Sequence, residues 1–193
     1  MASDANSPSF FTTLSVCGLR ELDDYHSRNV TVALSLVDPA HELGHNFAPG
    51  INNEIFRFHD IIEPKEGMTA PTEKDVEGIL RFGSVHSPEH GAGHLLVHCH
   101  MGVSRSTAAM LMLMAQRFPD LPADALFEKL REIRSIAWPN STMISMADDA
   151  LGRRGRLVEA LRRHYGVQLN VHPRYRKWMT ELGRVSEVES AIT

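Results

Sequence analysis

Cys99 and Arg105 are the residues of this chain whose types and spacing state a chemistry. Between them lie His100, Met101, Gly102, Val103 and Ser104, and Ser106 follows. A loop of that length can curl so that successive backbone N–H groups face inward as an anion nest. Gly102 supplies the permissive φ/ψ that such a curl needs. Arg105 adds a planar fork suited to two oxygens of one phosphate. The same positive surroundings favour thiolate over thiol, so the place that binds a tetrahedral oxyanion would also make the nucleophile. The bland alternative is a buried structural cysteine beside a helix.

The elements around the loop suit that task. Leu95-Leu96-Val97, bounded by His94 and His98, reads as a buried strand that delivers Cys99 at its C-terminal end. From about Ser104 the chain is rich in Ala, Leu and Met with no breaker before Pro119, which predicts a helix. Its N-terminus, with unsatisfied N–H groups and the positive end of the dipole, would point at the same spot.

Displacing an alkoxide or phenoxide from phosphorus also needs a proton donor. Asp60 is the first choice, at the end of an Ile55–His59 strand expected to neighbour the Cys99 strand. Pro64 and Gly67 downstream suit a loop that closes over the site. Glu63 in the same loop is the reserve, and Asp38 is less favoured. The alternative for Asp60 is a turn residue at a strand end.

His98-Cys99-x5-Arg105-Ser106, with Gly-Val-Ser inside it, resembles the loop of the protein tyrosine phosphatase superfamily, in particular its compact dual-specificity-like members. Leu14–Leu19 and Val30–Val37 resemble the opening strands of that fold, and Phe58-His59-Asp60-Ile61 its general-acid segment. Pro139-Asn140 followed by Met146–Gly152 is similar to the end of compact bacterial members. The resemblance covers roughly residues 11–163. It implies catalysis by Cys99, Arg105, Asp60 and Ser106, whose hydroxyl would help the sulfur leave in the second step. His100 to Arg105 would bind the substrate phosphate. His98 would fix the loop and tune the thiolate, and Asn140 would brace the loop, unless it only makes a Pro-Asn turn. The implied reaction is phosphomonoester hydrolysis through a cysteinyl-phosphate. It needs no metal or other cofactor, and its substrate would be a phosphorylated protein or peptide.

Strands alternating with helices, then a helical C-terminal half, predict one α/β domain with a mostly parallel, four- to five-stranded sheet flanked by helices. The expected division is a flexible 1–10, a phosphatase domain over 11–164 and a C-terminal extension over 165–193. Predicted helices are Arg20–Ser27, Thr72–Phe82 capped by Thr72, Pro122–Ile136, and Thr142–His164 capped by Ser141. In the extension, Pro173 can start a helix with Tyr175, Trp178, Met179, Leu182 and Val185 on one stripe. Docking on the parent domain is expected, with self-association as the other use of that stripe.

At 193 residues and a net charge of −4, nothing marks a nucleic-acid or membrane-surface protein. No apolar run reaches membrane-spanning length, and the first residues lack the basic and apolar regions of a secretory signal. Only two cysteines, Cys17 and Cys99, fit a reducing compartment, with cytoplasmic location the expectation. Cys17 reads as a buried strand residue, or else as a thiol able to form a disulfide with Cys99. Arg153, Arg154, Arg156, Arg162 and Arg163 read as a solvated helix face salted with Glu159.

Three other functions compete. His41-Glu42-Leu43-Gly44-His45 matches the zinc-hydrolase pattern H-E-x-x-H. That pattern needs a helix to bring both imidazoles to one face, and Pro39, Gly44 and Pro49 oppose one. A phosphoinositide or inositol-phosphate phosphatase would use the same loop, but the interior lacks the lysines that relatives acting on such substrates often carry. A phosphate-binding module without turnover would keep Cys99 and Arg105 but needs no acid.

Overall fold

The computed structural model describes residues 10–42, 47, 50–86 and 92–192. Four strands, β1 (Thr13–Gly18), β2 (Val32–Val37), β3 (Asn52–Arg57) and β4 (His94–Cys99), form one sheet in the order β1-β4-β2-β3. Every pairing is parallel. The central strands β2 and β4 are buried along their whole length, whereas the edge strand β3 alternates between exposed and half-buried. That contrast follows from composition: Val-Ala-Leu-Ser-Leu-Val and His-Leu-Leu-Val-His-Cys can be covered on both faces, Asn-Asn-Glu-Ile-Phe-Arg on one at most.

The helices are α1 (Glu73–His86), α2 (Arg105–Arg117), α3 (Ala123–Ile133), α4 (Ser141–Ala150), α5 (Arg156–Val171), α6 (Tyr175–Glu181) and α7 (Val185–Glu189), with a 3-10 helix at Leu19–Tyr25. Helix α2 is buried from Arg105 through Ala115, as an all-round apolar sequence requires. It packs on β4 and is ringed by α1, α3 and α4. The main core joins these helices to Val16, Leu34, Leu36, Leu95, Val97 and Cys99. A smaller cluster, with Cys17, Leu22, Val30, Ala33 and Leu96, lies on the opposite face. Because side chains alternate along a strand, Cys17 falls beside His98 and away from Cys99, which removes the geometry for a Cys17–Cys99 disulfide.

Several local expectations are corrected. Strand β3 pairs with β2, not with the Cys99 strand, so Asp60 reaches the site through the chain that follows β3. The helix expected over Thr142–His164 is two helices. Gly152, Arg154 and Gly155 all adopt positive φ, and the buried Asp148 carboxylate accepts from the N–H groups of Gly155 (2.5 Å) and Leu157 (2.6 Å) to start α5 afresh. Arg153 is buried at that break rather than solvated, and donates to the Ala115, Phe118 and Pro119 carbonyls at the end of α2. Asn140, not Ser141, caps α4, accepting from Met143 N–H at 3.1 Å. Thr72 does serve as the α1 cap, exchanging hydrogen bonds with Asp75.

Helix α5 runs unbroken through residues 164 and 165. In the extension Tyr175 and Met179 are buried in the main core and Trp178 packs against it, while Leu182 and Val185 are exposed. No helix among the described residues is long and apolar enough to cross a membrane.

Candidate active site

All four strands point their C-terminal ends to one rim, where ligands of parallel α/β sheets sit. Cys99 ends β4 there. The residue is 1% exposed, and its sulfur accepts from Gly102 N–H at 3.2 Å and lies 3.1 Å from Ser106 Oγ. Gly102 has a φ of +67°, and a Cβ on it would stand 2.5 Å from the Cys17 carbonyl carbon. No other residue type fits both demands. The loop therefore lies flush on the end of β1, where Leu19 N–H donates to the His100 carbonyl at 3.1 Å.

Arg105 opens α2 and is 3% exposed. Its Nη1 donates to Asp38 Oδ1 at 2.7 Å and to the Phe58 carbonyl, and its Nε is buried with no hydrogen-bond partner among the described residues. Asp38, which directly follows β2, also receives His100: the two lie 3.8 Å apart, and Asp38 N–H donates to His100 Nε2 at 3.3 Å. Burial, helped by the cations around it, keeps His100 neutral to lower pH than a free imidazole, against the opposing pull of Asp38. Asp38 is thus drawn into the site far more than the sequence reading allowed.

Asp60 lies at the same rim, and among the described residues the donors to its carboxylate land on Oδ1: Ser104 Oγ at 2.8 Å, Asn140 Nδ2 at 3.0 Å and Arg184 Nη2. Burial works against its ionisation, but Arg184, then Arg105, and the Asn140 and Ser104 hydrogen bonds outweigh it and hold the carboxyl below the usual aspartate range. Asn140 also donates to the Ile61 carbonyl, so it braces the Asp60 segment; among the described residues, its side-chain hydrogen bonds run to Asp60, Ile61 and Met143 and not to the 99–105 loop.

The Cys99 loop is braced instead by a clamp that sequence reasoning missed. Arg134 donates to the Gly102 carbonyl at 2.9 Å and forms a bidentate pair with Glu21 at 2.8 Å on both oxygens. Glu21 in turn accepts from Gly18 N–H at 2.7 Å. Trp138 N–H holds the Val103 carbonyl at 2.8 Å. His98 departs from its expected role. On the far face of β4, its Nε2 lies 2.6 Å from Ser35 Oγ, so strand parity directs it away from the sulfur. Glu63 is exposed and accepts a long bond, 3.3 Å, from Ser186 Oγ.

A cavity of about 220 Å³ unites Asp38, Asp60, Cys99, His100, Arg105 and Arg184, with Met101, 52% exposed, on its rim. A water occupies about 30 Å³, so the volume suffices for one tetrahedral oxyanion. Arg184 was absent from the sequence reading. It sits 124 positions from Asp60, and no motif surrounds it. Of the H-E-x-x-H stretch, His41 and Glu42 lie in non-helical chain, and His45 lies outside the described residues. The His41 ring packs against His100 with centroids 4.6 Å apart.

No family model and no curated protein matches the sequence. Solved structures do match. The phosphatase domain of Yvh1 from Chaetomium thermophilum is 22% identical, with 75% of this chain and 93% of that one covered and a TM-score of 0.50. DUSP15 is 18% identical, with 81% and 92% covered and a TM-score of 0.53. At these identities the likeness is one of architecture. The chain shares the fold of these phosphatase structures, a single α/β domain on an all-parallel four-stranded sheet.

Proposed function

We propose that this chain is a cysteine-dependent phosphomonoester hydrolase acting on phosphorylated proteins or peptides. The observation that carries the reading is the Cys99 sulfur at the floor of the cavity, touched by Gly102 N–H and Ser106 Oγ, with Arg105 beside it at the head of α2. In the first step the thiolate attacks phosphorus, the phosphorus–oxygen bond to the leaving group breaks, and Asp60 hands that oxygen its proton. In the second, water attacks the cysteinyl-phosphate while Asp60 takes its proton, and the sulfur departs as thiolate with the Ser106 hydroxyl beside it. Arg105 and the N–H groups from His100 to Arg105 carry the charge of the equatorial oxygens throughout.

The resting arrangement adds one requirement. Arg105 is engaged by Asp38, so an incoming phosphate must take over that guanidinium from a carboxylate. A dianion can do so because two oxygens match the fork and the buried Nε gains a partner. The same charge arriving beside Asp60 raises its affinity for a proton, which readies it as the acid. Both cysteines are free, and a thiolate nucleophile suits a reducing compartment such as the cytoplasm.

The test is hydrolysis of an aryl phosphate by wild type and Cys99→Ser, with and without a chelator. Turnover that disappears in Cys99→Ser and ignores the chelator supports the reading. Chelator-sensitive turnover that survives the substitution overturns it.

A further inference from the structure

The C-terminal segment reaches into the cavity. Arg184 lies between α6 and α7, is 3% exposed, and its guanidinium is shared between two acidic partners. Nη2 donates to Asp60 Oδ1 and, at 3.2 Å, to the Asp60 backbone carbonyl. Nη1 donates to both oxygens of Glu187 at 3.1 Å. Glu187, 2% exposed, is itself fixed by Trp138 Nε1 (2.6 Å) and by Ser141 N–H (2.9 Å). Trp138 and Ser141 flank Asn140, the other side chain that holds Asp60. One rigid bracket thus joins the tail, the start of α4 and the acid.

Two carboxylates flank Arg184, so it carries no spare charge with which to bind a substrate. Its geometry suits a different task. A carboxyl group that accepts Ser104, Asn140 and Arg184 on Oδ1 has only Oδ2 left to carry a proton. Holding both the side chain and the carbonyl of one residue also removes the rotation that would turn Oδ2 away. We infer that Arg184 is a positioning residue for proton transfer, presenting Asp60 to the leaving oxygen by holding it at Oδ1 and at its own backbone. The inference rests on the reading of Asp60 as the acid.

The charges around Asp60 set how its proton responds to pH. Arg184 faces it from the tail with Glu187 bound behind that guanidinium, Arg105 faces it from α2, and Asp38, His59, Cys99 and His100 share the cavity with it. Removing the Arg184 charge leaves the carboxyl freer to keep its proton, so the alkaline limb of the rate profile must move to higher pH.

The experiment compares two substrates on the full chain. Phenyl phosphate has a leaving group that needs protonation; an aryl phosphate with strongly electron-withdrawing substituents does not. Arg184→Gln is expected to lose about 10²-fold in kcat on phenyl phosphate and less than about 3-fold on the activated ester, with the alkaline limb shifted upward. Arg184→Lys should recover most of the loss. In an Asp60→Asn background Arg184→Gln should cost nothing more. A companion, Arg184→Gln with Glu187→Gln, leaves no buried carboxylate unpaired and should show the same substrate split if the single variant is poorly folded. Equal losses on both substrates with an unmoved limb would reduce Arg184 to a structural brace and overturn the inference. Asp60→Asn with full phenyl phosphate turnover would overturn it through the acid assignment, while leaving the cysteine reading in place. Turnover that survives Cys99→Ser is the separate failure of that reading.

Discussion

The Cys99 loop and the Asp60 cluster are built in opposite ways. Cys99, Gly102, Arg105 and Ser106 belong to one unbroken stretch whose conformation is set by a strand end, a glycine and a helix start. Asp60 is held by Ser104, Asn140 and Arg184, three residues drawn from separate parts of the chain. The first is local chemistry, and its parts arrive together. The second exists only once the C-terminal helices have docked. A site of this kind can therefore lose the Asp60 cluster while keeping the Cys99 loop.

The sharpest way to break that contrast is at the loop. Cys99→Ser should take turnover to background and still bind orthovanadate or sulfate, measured by calorimetry. Arg105→Met should lose about 10³-fold in kcat/KM together with most of that affinity, because charge stabilisation in the transition state goes with it. Asp60→Asn should lose about 10²–10³-fold in kcat and flatten the alkaline limb, yet bind the oxyanion as wild type does. Glu63→Gln should change kcat less than about 2-fold; the reverse order would move the acid to Glu63.

Stability measurements sharpen the comparison further. Glu187→Ala leaves Arg184 without its buried partner and should cost about 3–5 kcal/mol in denaturant unfolding, against a small change for the exposed Glu63→Gln. Gly102→Ala should cost roughly 1–3 kcal/mol and weaken oxyanion binding, since φ is positive and β1 leaves no room. Two acid responses follow from titration. His164 is buried in α5, which pushes its pKa down to about 4, so the unfolded chain binds its proton first. Stability should therefore fall as pH drops from about 6.5 toward 4, and His164→Gln should flatten that slope. Asp60, held below its usual range, contributes stability above about pH 4 that is lost as pH falls through its folded value, a loss absent in Asp60→Asn.

The fold class was legible because β2 and β4 are apolar runs that demand cover on both faces, and because a run of helical patterns follows Cys99. The order of the strands was not. Nothing in Asn52–Arg57 says whether it pairs with β2 or β4, and the expected neighbour was the wrong one. Helix starts were readable where a local cap exists, as at Thr72. The break between α4 and α5 falls at Gly152-Arg153-Arg154-Gly155, where two glycines and the loss of apolar spacing are the local signal, while the turn itself depends on Asp148 reaching forward to Leu157. His98 shows the same limit from the other side. Its place before Cys99 suggested contact with the thiol, while alternation along a strand, once the burial of each face is known, sends it to Ser35.

What the sequence determined by itself is the cup around Cys99, since close sequence spacing confines these atoms to one another before any long-range packing occurs. Only the tertiary structure decided what surrounds it. Arg134 and Glu21 hold the loop from outside, Asp38 occupies Arg105, and Arg184 holds Asp60, each across a large sequence separation. A buried ion pair leaves no periodic trace in a sequence, because its partners are selected by the packing of distant elements and not by their neighbours in the chain.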